Sequence, residues 1–283
     1  MNPQRLLSAF LLALAALALG TTHADAQKLD SIRLRYTFTA GQTIRYRVVA
    51  FDSIMIYDKK WRVLSRERAE EVTLRCDSVL PNDGGYIMTT RMTQYAASET
   101  YDSLPPVVRD TSAWVNRPIT FLMTISGKRL TLKAATDDPG TSPGGPFEPL
   151  LLPNLGDDHT YVGSSGAFPN EQYMFDNIFP PVFWKGSTFR TIVGRLDTLK
   201  QKALEIQLSD VGNLSYQMPG DDANPITTAT INGSGQYFLG TKLGYPIGGN
   251  YSLIARFTLS RPDKQNVDGR HILGMYFELL TDK

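Results

Sequence analysis

Cysteine and histidine are nearly absent: the 283 residues hold one Cys and three His. A single thiol cannot close an intrachain disulfide, and a Cys/His metal cluster is excluded by count. Charge of one sign is lacking too. Lys and Arg total 29 against 28 Asp and Glu, a formal charge of +1, which leaves no global field to gather nucleic acid or an anionic membrane. After the N-terminus there is no apolar run of the ~20 residues that a transmembrane helix needs, so no such helix is expected in the mature chain. Amphipathic helical periodicity over three turns or more is missing as well.

What is present favours strands and turns. The chain has 13 Tyr, 13 Phe, 23 Gly and 17 Pro, with 42% apolar and 20% charged residues, enough to build a core. The first 26 residues read as a signal peptide. Arg5 precedes the 14-residue apolar run Leu6–Leu19, too short for a bilayer span, and Ala24-Asp25-Ala26 offers small residues for cleavage. The reading predicts export to the periplasm or extracellular space, with residues 27–283 forming a single all-β domain.

Strand-like alternation runs through Ile32-Arg-Leu34-Arg-Tyr36-Thr-Phe38 and resumes at Ile44-Arg-Tyr46-Arg-Val48 after Ala40-Gly41-Gln42. Asp58-Lys59-Lys60, Pro81–Gly85 and Ser126-Gly127-Lys128 supply turns, and Gly233-Ser-Gly235 and Gly248-Gly249-Asn250 read as hairpin turns. The run Arg66–Glu71 is too charged to face a core and is expected at the solvated tip of a long ribbon or in a single helical turn. These elements predict an all-β fold: a large antiparallel, curved sheet or half-open barrel of about a dozen strands, with at most one or two short helices. Phe38-Thr-Ala-Gly41-Gln-Thr43-Ile44-Arg45 is echoed by Phe183-Trp-Lys-Gly186-Ser-Thr188-Phe189-Arg190. In each copy a Gly turn, at Gly41 and at Gly186, is expected to launch an alternating strand, and the echo suggests pseudo-repeat halves, 28–140 and 175–283, joined by the Pro/Gly-rich stretch 137–166.

Chemistry-bearing motifs are few. Asp137-Asp138, Asp157-Asp158 and Asp221-Asp222 stand among turn residues, and no catalytic residue, cofactor or metal ligand is assigned. Asp157-Asp158-His159 with Ser164 nearby leaves a secreted hydrolase as one alternative, and an outer-membrane β-barrel is another. His271 is expected at the start of the last strand and Cys76 as a small buried hydrophobe. The stretch Phe168–Trp184 carries six aromatics in 17 residues. Its members Tyr173, Phe175, Phe179, Phe183 and Trp184 are either bulk that plugs a curved sheet or a surface for a ligand or partner. The main functional expectation is a non-catalytic exported protein that binds a lipid or other apolar ligand, or an envelope protein, and no nucleic acid.

Two stretches carry a resemblance: Phe38-Thr-Ala-Gly41-Gln42-Thr43-Ile44-Arg45-Tyr46, just after the signal, and Phe179-Pro180-Pro181-Val182-Phe183-Trp184-Lys185-Gly186. In layout the chain resembles uncharacterised exported bacterial all-β proteins, including relatives of the periplasmic Lol-type lipoprotein carriers. That resemblance implies a half-open antiparallel barrel that shields acyl chains. The Pro/Gly insertion and the scarcity of helix depart from the Lol pattern, and no site residue carries over.

Overall fold

The computed structural model describes residues 31–112, 114–134, 151–173, 183–217, 226–260 and 264–281. The signal segment, Asp137-Asp138, Asp221-Asp222, Phe175 and Phe179 lie outside them. The described residues form fourteen strands and no helix. They are β1 (Ile32–Arg33), β2 (Thr43–Asp58), β3 (Lys60–Leu80), β4 (Gly85–Tyr101), β5 (Val107–Arg109), β6 (Pro118–Met123) and β7 (Arg129–Ala134), then β8 (His159–Thr160), β9 (Ser165–Tyr173), β10 (Phe183–Thr198), β11 (Gln201–Gln217), β12 (Ile226–Gly240), β13 (Pro246–Ser260) and β14 (Val267–Leu279). Twelve make one antiparallel sheet in the order β7-β6-β4-β3-β2-β14-β13-β12-β11-β10-β9, with β5 beside β4; β1 pairs with β8. The two ends of this order approach each other, where the Arg129 backbone N–H donates to Gln172 Oε1 at 3.0 Å. The sheet is thus nearly closed and barrel-like, and the large antiparallel all-β architecture is the one the sequence predicts.

Period-two patterning decides which face turns inward. On β2, Ile44, Tyr46, Val48 and Ala50 are buried while Arg45, Arg47, Val49 and Phe51 are exposed. Register carries the same phase across neighbours, so Leu74, Met275, Phe277, Leu253 and Ile231 join one core. One end is closed by the chain itself. Only Ile32 and Arg33 of the first alternating stretch join a ladder; the rest crosses the barrel end, with Leu34, Tyr36 and Phe38 buried. The Tyr36 N–H donates to Ile125 O at 2.7 Å, the Thr37 N–H to Gly244 O at 2.9 Å, and the Tyr36 hydroxyl to Pro153 O at 2.7 Å.

The tight turns form where polar and left-handed residues permit them. Lys59 (φ 60°) turns β2 into β3, and Asn82 (55°) and Asp83 (57°) turn β3 into β4. Three local readings are corrected. Gly233 and Gly235 lie inside β12, where a Cβ would fall 2.2 and 2.6 Å from the Tyr251 side chain. They are a shelf for that ring, not a turn. Gly248 and Gly249 likewise lie inside β13, with Gly249 against Phe277. Gly186, expected to launch a strand, sits within β10 beneath the Trp184 indole.

Candidate functional site

Two polar constellations brace the inside of the wall. In the first, Asn154 Nδ2 donates to Asn170 Oδ1 (2.9 Å), Asn170 Nδ2 to Thr188 Oγ1 (2.8 Å), Thr188 to Asp210, and the Tyr251 hydroxyl to Asp210 Oδ2 (2.7 Å). Burial pushes the Asp210 carboxyl up, and the hydrogen bonds from Thr188 and Tyr251 oppose that shift. The chain ties the loop around Asn154 to β9, β10, β11 and β13.

The second constellation corrects the reading of Arg66–Glu71 as a solvated tip. Arg66, Arg68 and Glu70 point inward and are buried together with Asp52, Glu99 and His271. Arg66 donates Nε and Nη2 to the two oxygens of Asp52, at 3.1 and 3.0 Å. Arg68 Nε stands 3.4 Å from Asp52 and its other arm pairs with Glu70. Burial of such charges is sustainable only because both signs are present.

His271 is likewise not at a strand end. It lies mid-way along β14, almost fully buried, with Nε2 3.8 Å from Asp52 Oδ1. Burial first, then repulsion by Arg66 and Arg68, holds its pKa down at about 3. The folded protein therefore keeps His271 neutral, whereas the unfolded chain protonates it near pH 6.5. Its contribution to stability is complete above that pH and fades as the pH falls towards 3. Between pH 7.5 and 5 this amounts to about 2 kcal/mol. Denaturant unfolding of the parent and of His271→Gln should therefore diverge in pH slope over that interval, with the variant's curve flatter. Parallel slopes would refute the assignment.

Two of the hydrolase candidates are engaged locally. Asp158 receives two hydrogen bonds from Arg190, at 3.0 and 3.2 Å. The Ser164 hydroxyl is 2.6 Å from Thr160 Oγ1 and donates to Tyr161 O at 2.7 Å. Asp157 and His159 are exposed. The Ser and one Asp serve as local braces. Among the described residues no group of three or more His, Cys, Asp or Glu side chains is placed to hold a metal ion. Cys76 is buried, Sγ lies 3.6 Å from Ser78 O, and burial pushes its thiol up, away from thiolate reactivity.

Of the aromatic segment, Tyr173 ends β9 and faces Phe183, the first residue of β10, in register. The side chains of those two lie outside what is described. Trp184 is fully buried, its ring lying over Gly186 and Gly212, so it would meet a ligand only from inside the barrel.

The outer face of the same sheet holds what sequence reading missed. Outward positions of β2, namely Val49, Phe51, Met55 and Tyr57, break the polar alternation, and Tyr276 and Ile254 continue the stripe on β14 and β13. Val49, Phe51, Tyr57, Tyr276 and Trp61 are each 45–57% exposed. Gly274, Ala69 and Ala96 are small, and with Val49, Phe51 and Val108 they line a groove of about 780 Å³. The signal was available in sequence as the odd-numbered phase Val49-Phe51-Ser53-Met55-Tyr57. A second groove, of about 1010 Å³, lies towards the other ends of β10–β14 and includes Trp61, Lys185, Arg256 and Arg270.

No protein-family model matches the chain, and no curated protein does. Among solved structures the chain is similar to one described as lipid–protein interactions in lipovitellin. The TM-score is 0.44 at 11% identity, covering 87% of this chain and 26% of that one, so this chain spans about a quarter of lipovitellin's length.

Proposed function

We propose that the protein is a non-catalytic binding protein that takes an apolar ligand, an acyl chain or its like, on the outer face of its nearly closed sheet. The observation that carries this reading is the stripe Val49–Phe51–Tyr276 with its groove of about 780 Å³, walled by small residues that leave the space open. A contiguous exposed apolar strip costs solubility and is retained where something covers it. The inner face supports the choice of the outer one, because the strands' inward side chains already pack on one another.

A membrane-spanning barrel needs the opposite wall, apolar outside all round. Here the outer face also carries the ion pairs Arg45–Glu71 (2.9 Å), Arg47–Glu278 (3.5 Å) and Arg75–Asp77 (2.7 Å). Among the described residues no helix is long and apolar enough to cross a membrane. Export is part of the proposal and is supported by the composition of residues 1–26. Intact-mass analysis of protein from cell-envelope and medium fractions should find Gln27 as the first residue. A retained leader would overturn that part.

The binding part is tested with Nile red. Phe51→Asp and Val49→Asp place a charge in the stripe without touching the core, so each should melt within a degree or two of the parent. Each should also lower dye affinity at least fivefold. Dye binding equal to the parent's in both variants would sink the outer-face reading.

A further inference from the structure

The groove at the strand ends differs in character from the apolar stripe. Arg256 on β13 and Arg270 on β14 are direct cross-strand partners. Both are on the outer face and both line the groove. Like charges directly opposite each other in an antiparallel pair destabilise it. An oppositely charged residue in either place would have removed that cost.

Three further observations give the arrangement a purpose. Arg270 Nε is buried and has no hydrogen-bond partner, a donor that costs free energy until an acceptor reaches it. The groove brings three cations, Lys185, Arg256 and Arg270, against the single carboxylate of Asp268, which is already engaged by the Thr258 hydroxyl at 2.8 Å. On its rim stands Trp61, 57% exposed, with the Tyr57 ring 5.2 Å away. Fixed guanidinium forks suit carboxylate or phosphate oxygens, and an exposed aromatic pair suits an apolar body.

We propose that this groove is an anion site, holding the anionic head of an acyl amphiphile between Arg256 and Arg270 while its tail runs past Trp61 and Tyr57. Along β2, Tyr57 and Met55 lead outward-facing from this groove to Phe51 and Val49, so head and tail surfaces belong to one face. The tail part rests on the apolar-surface reading above; the head part does not.

The test is calorimetric titration of the full chain with decanoate and with decanol, which share a tail and differ in head charge. Decanoate should bind at least tenfold more tightly than decanol. Arg270→Gln should remove that advantage, and Arg256→Gln, at an exposed position, should reduce it severalfold. Neither change should alter decanol binding, whereas Phe51→Asp should weaken both probes. Equal affinity for the two probes, or decanoate binding unchanged in both arginine variants, would overturn the anion site while leaving the apolar surface standing. Decanoate binding lost in the arginine variants but unmoved by Phe51→Asp would uphold the anion site and overturn the stripe as its tail path.

Discussion

Removing the Asp52 carboxylate should be among the most damaging single changes this fold can suffer. Asp52 is fully buried and receives both arms of Arg66, with Arg68 3.4 Å away. Asp52→Ala would leave Arg66 beside Glu99 (3.6 Å) and Arg68 beside Glu70, but two buried guanidinium groups would lose their shared counter-charge. Breaking a buried pair by deleting one partner costs ~3–5 kcal/mol, because the other charge stays behind. A large downward shift of the urea midpoint is expected. Replacing Asp52→Leu, Arg66→Met, Arg68→Met and Glu70→Leu together removes these charges as a set and leaves Glu99 with Arg109 at 2.6 Å, so stability should return to within about 1–2 kcal/mol of the parent or exceed it. A single variant that melts with the parent, or a combined variant no better than the single, would show that the cluster is not a closed electrostatic unit.

That cluster also shows where sequence reading runs short. Alternation alone gave the inward face at the start of β2, since Ile44, Tyr46 and Val48 are apolar and Arg45 and Arg47 between them are charged. Asp52 continues the same inward phase, and Arg66, Arg68 and Glu70 share the phase of Val72 and Leu74. Phase should have outweighed polarity. A charge run reads as solvated because its counter-charges are sought nearby in sequence. Here Asp52 meets Arg66 only through the β2–β3 register, 14 residues away. The glycines teach the same lesson. Gly233 and Gly235 look like turn residues, yet their spacing of two places both on one face, the spacing of a shelf for an aromatic ring on the next strand. The turn from β10 into β11 uses Leu199 and Lys200 in left-handed geometry, residues that carry no turn signature.

The candidate surface was less legible than the fold for a physical reason. A core announces itself by periodicity within one strand, whereas a surface site is assembled from one or two residues on each of several strands. Arg256 and Arg270 are unremarkable apart, each an outward residue on a strand, and become a like-charged pair only when β13 and β14 align. The aromatic segment was conspicuous for the opposite reason: its residues are adjacent in sequence. Of its members with described side chains, Phe168 lies under the Arg190 guanidinium, 5.7 Å from Cζ to the ring centroid, and Trp184 is a core residue.

Trp184 accordingly supports the other large expected effect. Its indole lies across two glycines that face each other in register, Gly186 on β10 and Gly212 on β11. A Cβ on Gly212 would stand 2.3 Å from Trp184 Cζ2, and one on Gly186 2.4 Å from the same atom. A rigid ring cannot yield at that distance, so the glycines are the complement of the tryptophan. Trp184→Ala should cost ~3–5 kcal/mol through the cavity it opens. Gly212→Val in the parent should cost about 1–3 kcal/mol or more, since the ring must leave its position. In the double variant the valine occupies space that the ring has vacated. The two losses should then fall short of additivity by ~1–3 kcal/mol, as neighbours in contact do. Urea unfolding of the four proteins in the cycle measures this coupling. Strict additivity would mean that the glycines answer to the backbone rather than to the indole. The segment ending in Trp184 would then regain its claim as a binding element rather than a plug.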